Sequence, residues 1–242
     1  MQSSPAILFA VFCIFGLVVF GMIAAVVFAA RKSAEHRNKI AQALGLTITT
    51  DTTGLLEKVL RINGYANIGR YLFRDVFHRR HAQGGDVYFF DLVSHGTSRL
   101  SSGRKKSSFH TVEASVLAFI SPEWKLPFFK TFPRLDGGKL ADLGNKAAEA
   151  ALDITFDLIK SPHIPKLDEL YLISTSKSTA SQILLPDGFL RVLASHPGLN
   201  VHVGGDTMTL SYYDTSTAPP DEVKMMALYK IGLQIARELQ PL

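Results

Sequence analysis

Cysteine is nearly absent: Cys13 is the only one in 242 residues. No disulfide can form within the chain, which excludes a stapled secreted scaffold and suits a reducing compartment. No Asn-x-Ser/Thr sequon occurs, so nothing marks an exported, glycosylated surface. Three catalytic or nucleotide signatures are also missing: no Gly-x-Ser-x-Gly, no complete phosphate loop and no Gly-x-Gly-x-x-Gly. The most conspicuous absence is local. From Pro5 to Ala30 there is no charged residue and no Asn, Gln or His.

What fills that stretch is apolar. A helix needs about 20 apolar residues to cross the hydrocarbon of a bilayer, and lipid forces such a run to be helical. The run predicts one N-terminal transmembrane anchor. A cleaved signal would have a basic start and a shorter core, but Met1 to Pro5 carries no Lys or Arg. Arg31, Lys32, Arg37 and Lys39 follow the run at once. By the positive-inside rule the N-terminus faces out, and the rest is cytoplasmic. The expected localisation is the inner membrane, single-pass. Gly21 and Ala25, like Ala6 and Ala10, are four apart, a spacing that lets a partner helix approach closely.

Charge is unevenly divided. Residues 1–110 carry 14 Lys/Arg against 6 Asp/Glu, and residues 111–242 carry 12 against 15, within a formal total of +5. The basic half adjoins the anchor, where anionic lipid attracts each near cation by about 1 kcal/mol.

The patterning beyond the anchor predicts an α+β fold of mostly antiparallel strands with packed helices. Residues 1–31 form the anchor, 32–45 a basic juxtamembrane helix ending at Gly45, and 46–242 a cytoplasmic domain with a sub-boundary near 135–150. Asp86 to Val93 and Phe109 to Ile120 read as strands. Between them, Ser94 to Ser108 reads as a long hairpin tip bearing Arg99, Arg104, Lys105 and Lys106. Leu126 to Pro133 reads as a proline-broken extended strap. Helices are expected at Leu55 to Leu60, Gly138 to Leu152, Ser178 to Leu184, Asp187 to Ser195 and Pro219 to Leu239. Further strands are expected near Ile154 to Phe156 and within Leu167 to Ser174. A hairpin is expected around Gly204-Gly205-Asp206.

Candidate chemistry is thin. His78 and His81 have zinc-like spacing but flank Arg79 and Arg80, which would repel a cation. Asp91 and His95, with Ser94 or Ser98, supply the residue types of a hydrolase triad without its elbow. Asp136-Gly137-Gly138-Lys139 starts like a phosphate loop, but Leu140 stands where the hydroxyl belongs. No cofactor, metal or nucleic acid is expected, and no small-molecule substrate is identified.

The order of features resembles a group of uncharacterised bacterial single-pass membrane proteins with a cytoplasmic domain of unknown function. The carriers are Leu44-Gly45-Leu46, Phe89-Phe90-Asp91, Thr111-Val112 and Leu126-Pro127-Phe128-Phe129 with Pro133. The later part is similar to a second such domain through Phe156, Tyr171-Leu172, Ala180, Leu184-Leu185-Pro186 and Tyr212. The hairpin here is more basic than the pattern, and Tyr171 stands near where a Phe is usual. The resemblance implies a core and no activity.

The functional expectation is a membrane-anchored, non-enzymatic interaction module, an accessory or scaffold subunit of a membrane assembly. It would touch lipid or a membrane-protein partner through Gly21, Ala25, Arg31, Lys32, Arg37, Lys39, Arg99, Arg104, Lys105 and Lys106. The alternatives are a sensor of anionic lipid working through the basic hairpin, and a hydrolase built on Asp91 and His95.

Overall fold

A computed structural model describes residues 5–63, 71–80, 85–99, 106–160, 164–176, 185–212 and 221–239. Helix α1 (Pro5–Ala43) leads to β1 (Thr47–Ile48), α2 (Leu55–Asn63), β2 (Tyr71–Arg80), β3 (Asp86–Arg99), β4 (Lys106–Ile120) and β5 (Leu126–Pro133). Then come α3 (Gly138–Thr155), β6 (Phe156–Ile159), α4 (Pro165–Leu170), β7 (Tyr171–Ser176) and α5 (Asp187–Ser195). The chain ends in β8 (Leu199–Gly205), β9 (Thr207–Tyr212) and α6 (Glu222–Leu239). The fold is α+β. The strands form one nine-stranded sheet in the order β1-β2-β3-β4-β9-β8-β5-β7-β6, and the pairings are antiparallel.

Both faces of the sheet are covered in its β3–β4 region, which explains why strand β3 is apolar at consecutive positions. Val87, Phe89, Leu117 and Phe119 join the core beneath α5, α6 and the end of α1. Phe90, Leu92, Val116, Ala118 and Ile120 join Leu55, Val59 and Leu60 of α2 on the other side. Period-two alternation sends successive residues to opposite cores. Gly232 lets α6 lie close to the sheet, since a Cβ there would fall 2.5 Å from the Phe119 ring.

The transmembrane anchor is corrected. Among the described residues, no helix is long and apolar enough to cross a membrane. Helix α1 is a single run of 39 residues that passes without a break from the apolar stretch into the basic one. The expected single-pass inner-membrane placement, with its outward N-terminus and cytoplasmic domain, is withdrawn with it.

Helix α1 ends in the domain. Leu46 N–H bonds the Ala41 carbonyl at 2.8 Å and Gly45 N–H bonds the Gln42 carbonyl at 2.9 Å, with Gly45 at φ +67. This paired closure of the last turn is what the Leu44-Gly45-Leu46 pattern encodes.

Two loop assignments also change. The strap is a strand, with β5 lying inside the sheet between β8 and β7. Pro127 falls in a register shift between Leu126 and Phe129, and Pro133 ends the strand, so neither removes a needed ladder bond. The basic tip is shorter than expected, because pairing continues outward to Arg99 opposite Lys106. The helix expected at Ser178 to Leu184 lies outside the described residues, as does Pro219.

Close helix–sheet contact makes a first prediction. Gly232→Val should lower stability by about 1–3 kcal/mol through overpacking against Phe119, read from the urea midpoint. An unchanged midpoint would show that α6 does not lie this close.

Candidate functional site

Arg37, Ile40 and Ala41 on α1, with Leu44 just past its end, fall at i, i+3, i+4 and i+7, and all four residues are buried. Arg37 is the exception in chemistry. A guanidinium is seldom buried unless paired, yet Arg37 is only 5% exposed. Its Nη2 pairs with the Asp75 carboxylate, and its Nη1 donates to Ser33 Oγ at 2.6 Å and lies 3.6 Å from Asp91 Oδ2.

Strand β2 bends to meet it. Arg74 faces Asp91 and Phe77 faces Phe89, so β2 spends three steps where β3 spends two. This bulge places Asp75 at φ +51, a left-handed conformation that aspartate tolerates better than most residues. Asp91, buried in β3, accepts from Arg74 Nη2 at 2.7 Å and from Ser115 Oγ at 2.6 Å across β4. Two arginines and two aspartates thus form a near-neutral clasp joining α1 to the sheet.

A second polar set crosses the other end of the sheet. Lys130 of β5 stands opposite His202 of β8 and Ser174 of β7. Lys130 is buried, with its ammonium 5.3 Å from the Phe128 ring centre and 4.9 Å from that of Phe156. Those faces attract a cation, but no carboxylate among the described residues lies within ion-pair distance. Burial therefore pulls Lys130 down to about 8. Burial, helped by the nearby Lys130 charge, takes His202 down to about 3. His202 Nδ1 bonds Asn63 Oδ1, which makes Nδ1 the donor and leaves Nε2 as a bare acceptor. Buried Nε2 and Ser174 Oγ have no hydrogen-bond partner. A hydroxyl, a desolvated amine and a neutral imidazole are ingredients of acid–base chemistry. Neither the hollow beside Trp124 nor the one beside α3 is lined by any of them.

The sequence candidates scatter. Gly21, Ala25, Arg31, Lys32 and Lys39 are exposed along α1, while Arg37 is buried in the clasp. Arg99 and Lys106 face each other as a strand pair, and Arg104 and Lys105 lie outside the described residues. Asp91 is engaged by Arg74 and Ser115. His95 is placed only as backbone opposite His110. His78 Nε2 bonds Asp86 Oδ1 at 2.8 Å, its ring stacks on Tyr88, and His81 lies outside the described residues. Gly137 and Gly138, at φ +112 and +76, make the turn into α3. No group of three His, Cys, Asp or Glu among the described residues could hold a metal.

Sequence reasoning missed Arg74, Asp75, Ser115, Lys130, Ser174 and His202. Each acquires its partners from segments distant in sequence, across strands or, for Asp75 and His202, from helices α1 and α2.

Two predictions follow from the geometry. Arg37→Ala leaves two carboxylates without their shared cation and should cost about 3–5 kcal/mol, measured by urea denaturation; a loss under about 1 kcal/mol would mean the clasp is not closed. The polar row predicts a pH signature. The folded value of Lys130, near 8 against an ordinary 10.5, means its burial penalty is full below pH 8 and is relieved as pH rises toward 10.5. The stability of Lys130→Met relative to wild type should therefore be greater at pH 7 than at pH 10, and a constant difference would refute it. His202, near 3 against an ordinary 6.5, should withdraw stability as pH falls from 6.5 toward 3, and His202→Asn should flatten that limb.

No family model, no curated protein and no solved structure matches the chain.

Proposed function

We propose that this chain is a non-enzymatic interaction module, an accessory or scaffold subunit that engages a partner protein through the apolar part of α1. One observation carries the reading: α1 is rooted in the domain while its outer apolar residues face outward. Phe20, Met22, Val27 and Phe28 are exposed, Phe28 by 71%, although Ile40 and Ala41 on the same helix are buried. At 1.5 Å per residue, the 39-residue helix is about 58 Å long.

A contiguous exposed apolar patch is the ordinary mark of an interaction surface. Burying a phenylalanine side chain against a partner contributes about 1.5–3 kcal/mol. The exposed pair Gly21 and Ala25 adds a shallow place on the helix where another helix can approach. The non-enzymatic part of the reading is supported by the saturation of Asp91, whose oxygens are taken by Arg74 and Ser115.

A photo-crosslinking side chain placed at Phe28 should capture one partner in stoichiometric yield from the native cell. The same group at Glu35, beyond the apolar stretch, should not. Replacing Phe20 and Phe28 by serine should abolish capture from an intervening position such as Ala24 without altering the domain's urea midpoint. Diffuse labelling, or capture that ignores the serines, would overturn the reading.

A further inference from the structure

Helix α3 is an 18-residue helix with a single buried side chain, Ala141. Its inner side is short and mostly small or polar: Ala141, Gly144, Asn145 and Leu152. Asn145 ties that side to the chain before it, accepting from Leu135 N–H at 2.7 Å and donating to the Leu135 carbonyl at 2.9 Å. Arg134 adds a link to Glu149 at 3.3 Å.

The helix carries a second apolar face that is exposed among the described residues. Leu140, Leu143, Ala147, Ala150 and Ile154 recur at alternating steps of three and four, the spacing of a helix–helix seam. Leu140 is 87% exposed, Leu143 71% and Ile154 79%, and the two alanines are exposed as well. At 100° per residue this face points well away from the inner one. A helix with one buried residue and a separate apolar seam is half of an interface.

We propose that the occupant is a second copy of this chain, with α3 packed antiparallel on its own counterpart about a two-fold axis near Ala147. Charge chooses the orientation. Lys139 and Asp153 lie on the same rim of the seam, two heptads apart at its opposite ends. An antiparallel pair sets each lysine beside the partner's aspartate, twice over, whereas a parallel pair keeps each lysine two heptads from the partner's aspartate. Lys146 falls near the axis, with Asp142 one turn away on its own helix to offset it.

Size agrees with charge. The bulky residues Leu140, Leu143 and Ile154 stand at the ends, and Ala147 and Ala150 stand between them. The middle of the two helices can therefore approach closely while leucine packs against the opposite isoleucine at each end. The neighbouring surface continues the interface. Thr155 leads directly into β6, which lies at the end of the sheet order and pairs only with β7 among the described residues. An edge strand beside an uncovered apolar helix is a surface that a second copy can shield.

Sedimentation of the full chain over rising concentration tests the proposal. The expected result is a dimer that Leu143→Asp converts to monomer while far-UV circular dichroism is unchanged. Charge reversal at two exposed positions provides the decisive arm. Lys139→Asp alone and Asp153→Lys alone should each weaken dimerisation several-fold, and the double variant should restore it. A second check uses Ala147→Cys in a Cys13→Ser background, which should oxidise to a covalent dimer. A monomer at every concentration overturns the proposal. So does a dimer indifferent to Leu143→Asp, which would place association on α1 instead, or a double charge reversal that fails to rescue.

Discussion

The clasp of Arg37 with Asp75 and Asp91 is the constraint on which the arrangement of this molecule depends. Burying a guanidinium costs several kcal/mol unless its charge is met inside. Here it is met by carboxylates on two neighbouring strands, one of which bulges to deliver Asp75. The apolar contacts of Ile40, Ala41 and Leu44 turn one face of the helix to the core. The charge pairing fixes one rotation, and the closed turn at Gly45 fixes where the helix stops. Everything α1 displays farther out inherits that direction.

The two ends of the sheet differ in their chemistry. At the β2–β3 end, buried charge is balanced by opposite charge and serves to join elements. At the β5–β7 end, Lys130 is buried with aromatic faces and a neutral histidine for company. The first arrangement stabilises when complete and is costly to break. The second is held at a cost near neutral pH that the surrounding core must offset. An amine kept in such surroundings is chemically unusual, and in this fold it sits within the sheet rather than in a mouth or cleft.

Much of the fold was legible in the residues. The β8–β9 hairpin, α5 and α6 follow from turn residues, helical spacing and an acidic first turn, all of them local signals. The α+β class followed from the same patterning. Local signals failed where meaning lay across strands. Pro127 and Pro133 argued against a strand, but a register shift and a strand end make both harmless in β5. Arg37 read as one of the basic residues that would meet lipid or a partner, because nothing near it in sequence reveals Asp75 and Asp91 waiting in the sheet. The anchor was inferred from hydropathy alone, and no described helix meets the length and apolarity that a span requires. Lys130, Ser174 and His202 are unremarkable singly and become a set only when β5 is placed between β7 and β8.

The central claim is that the clasp roots α1 in the domain and so holds its apolar part outward. Native-state hydrogen exchange along α1 tests it most directly. The account predicts that the amides of residues 37–44 exchange as slowly as those of strand β3, and that Arg37→Met speeds this segment selectively while β8 and β9 keep their protection. Equal protection of residues 37–44 in wild type and variant would contradict it, as would fast exchange there in the wild type.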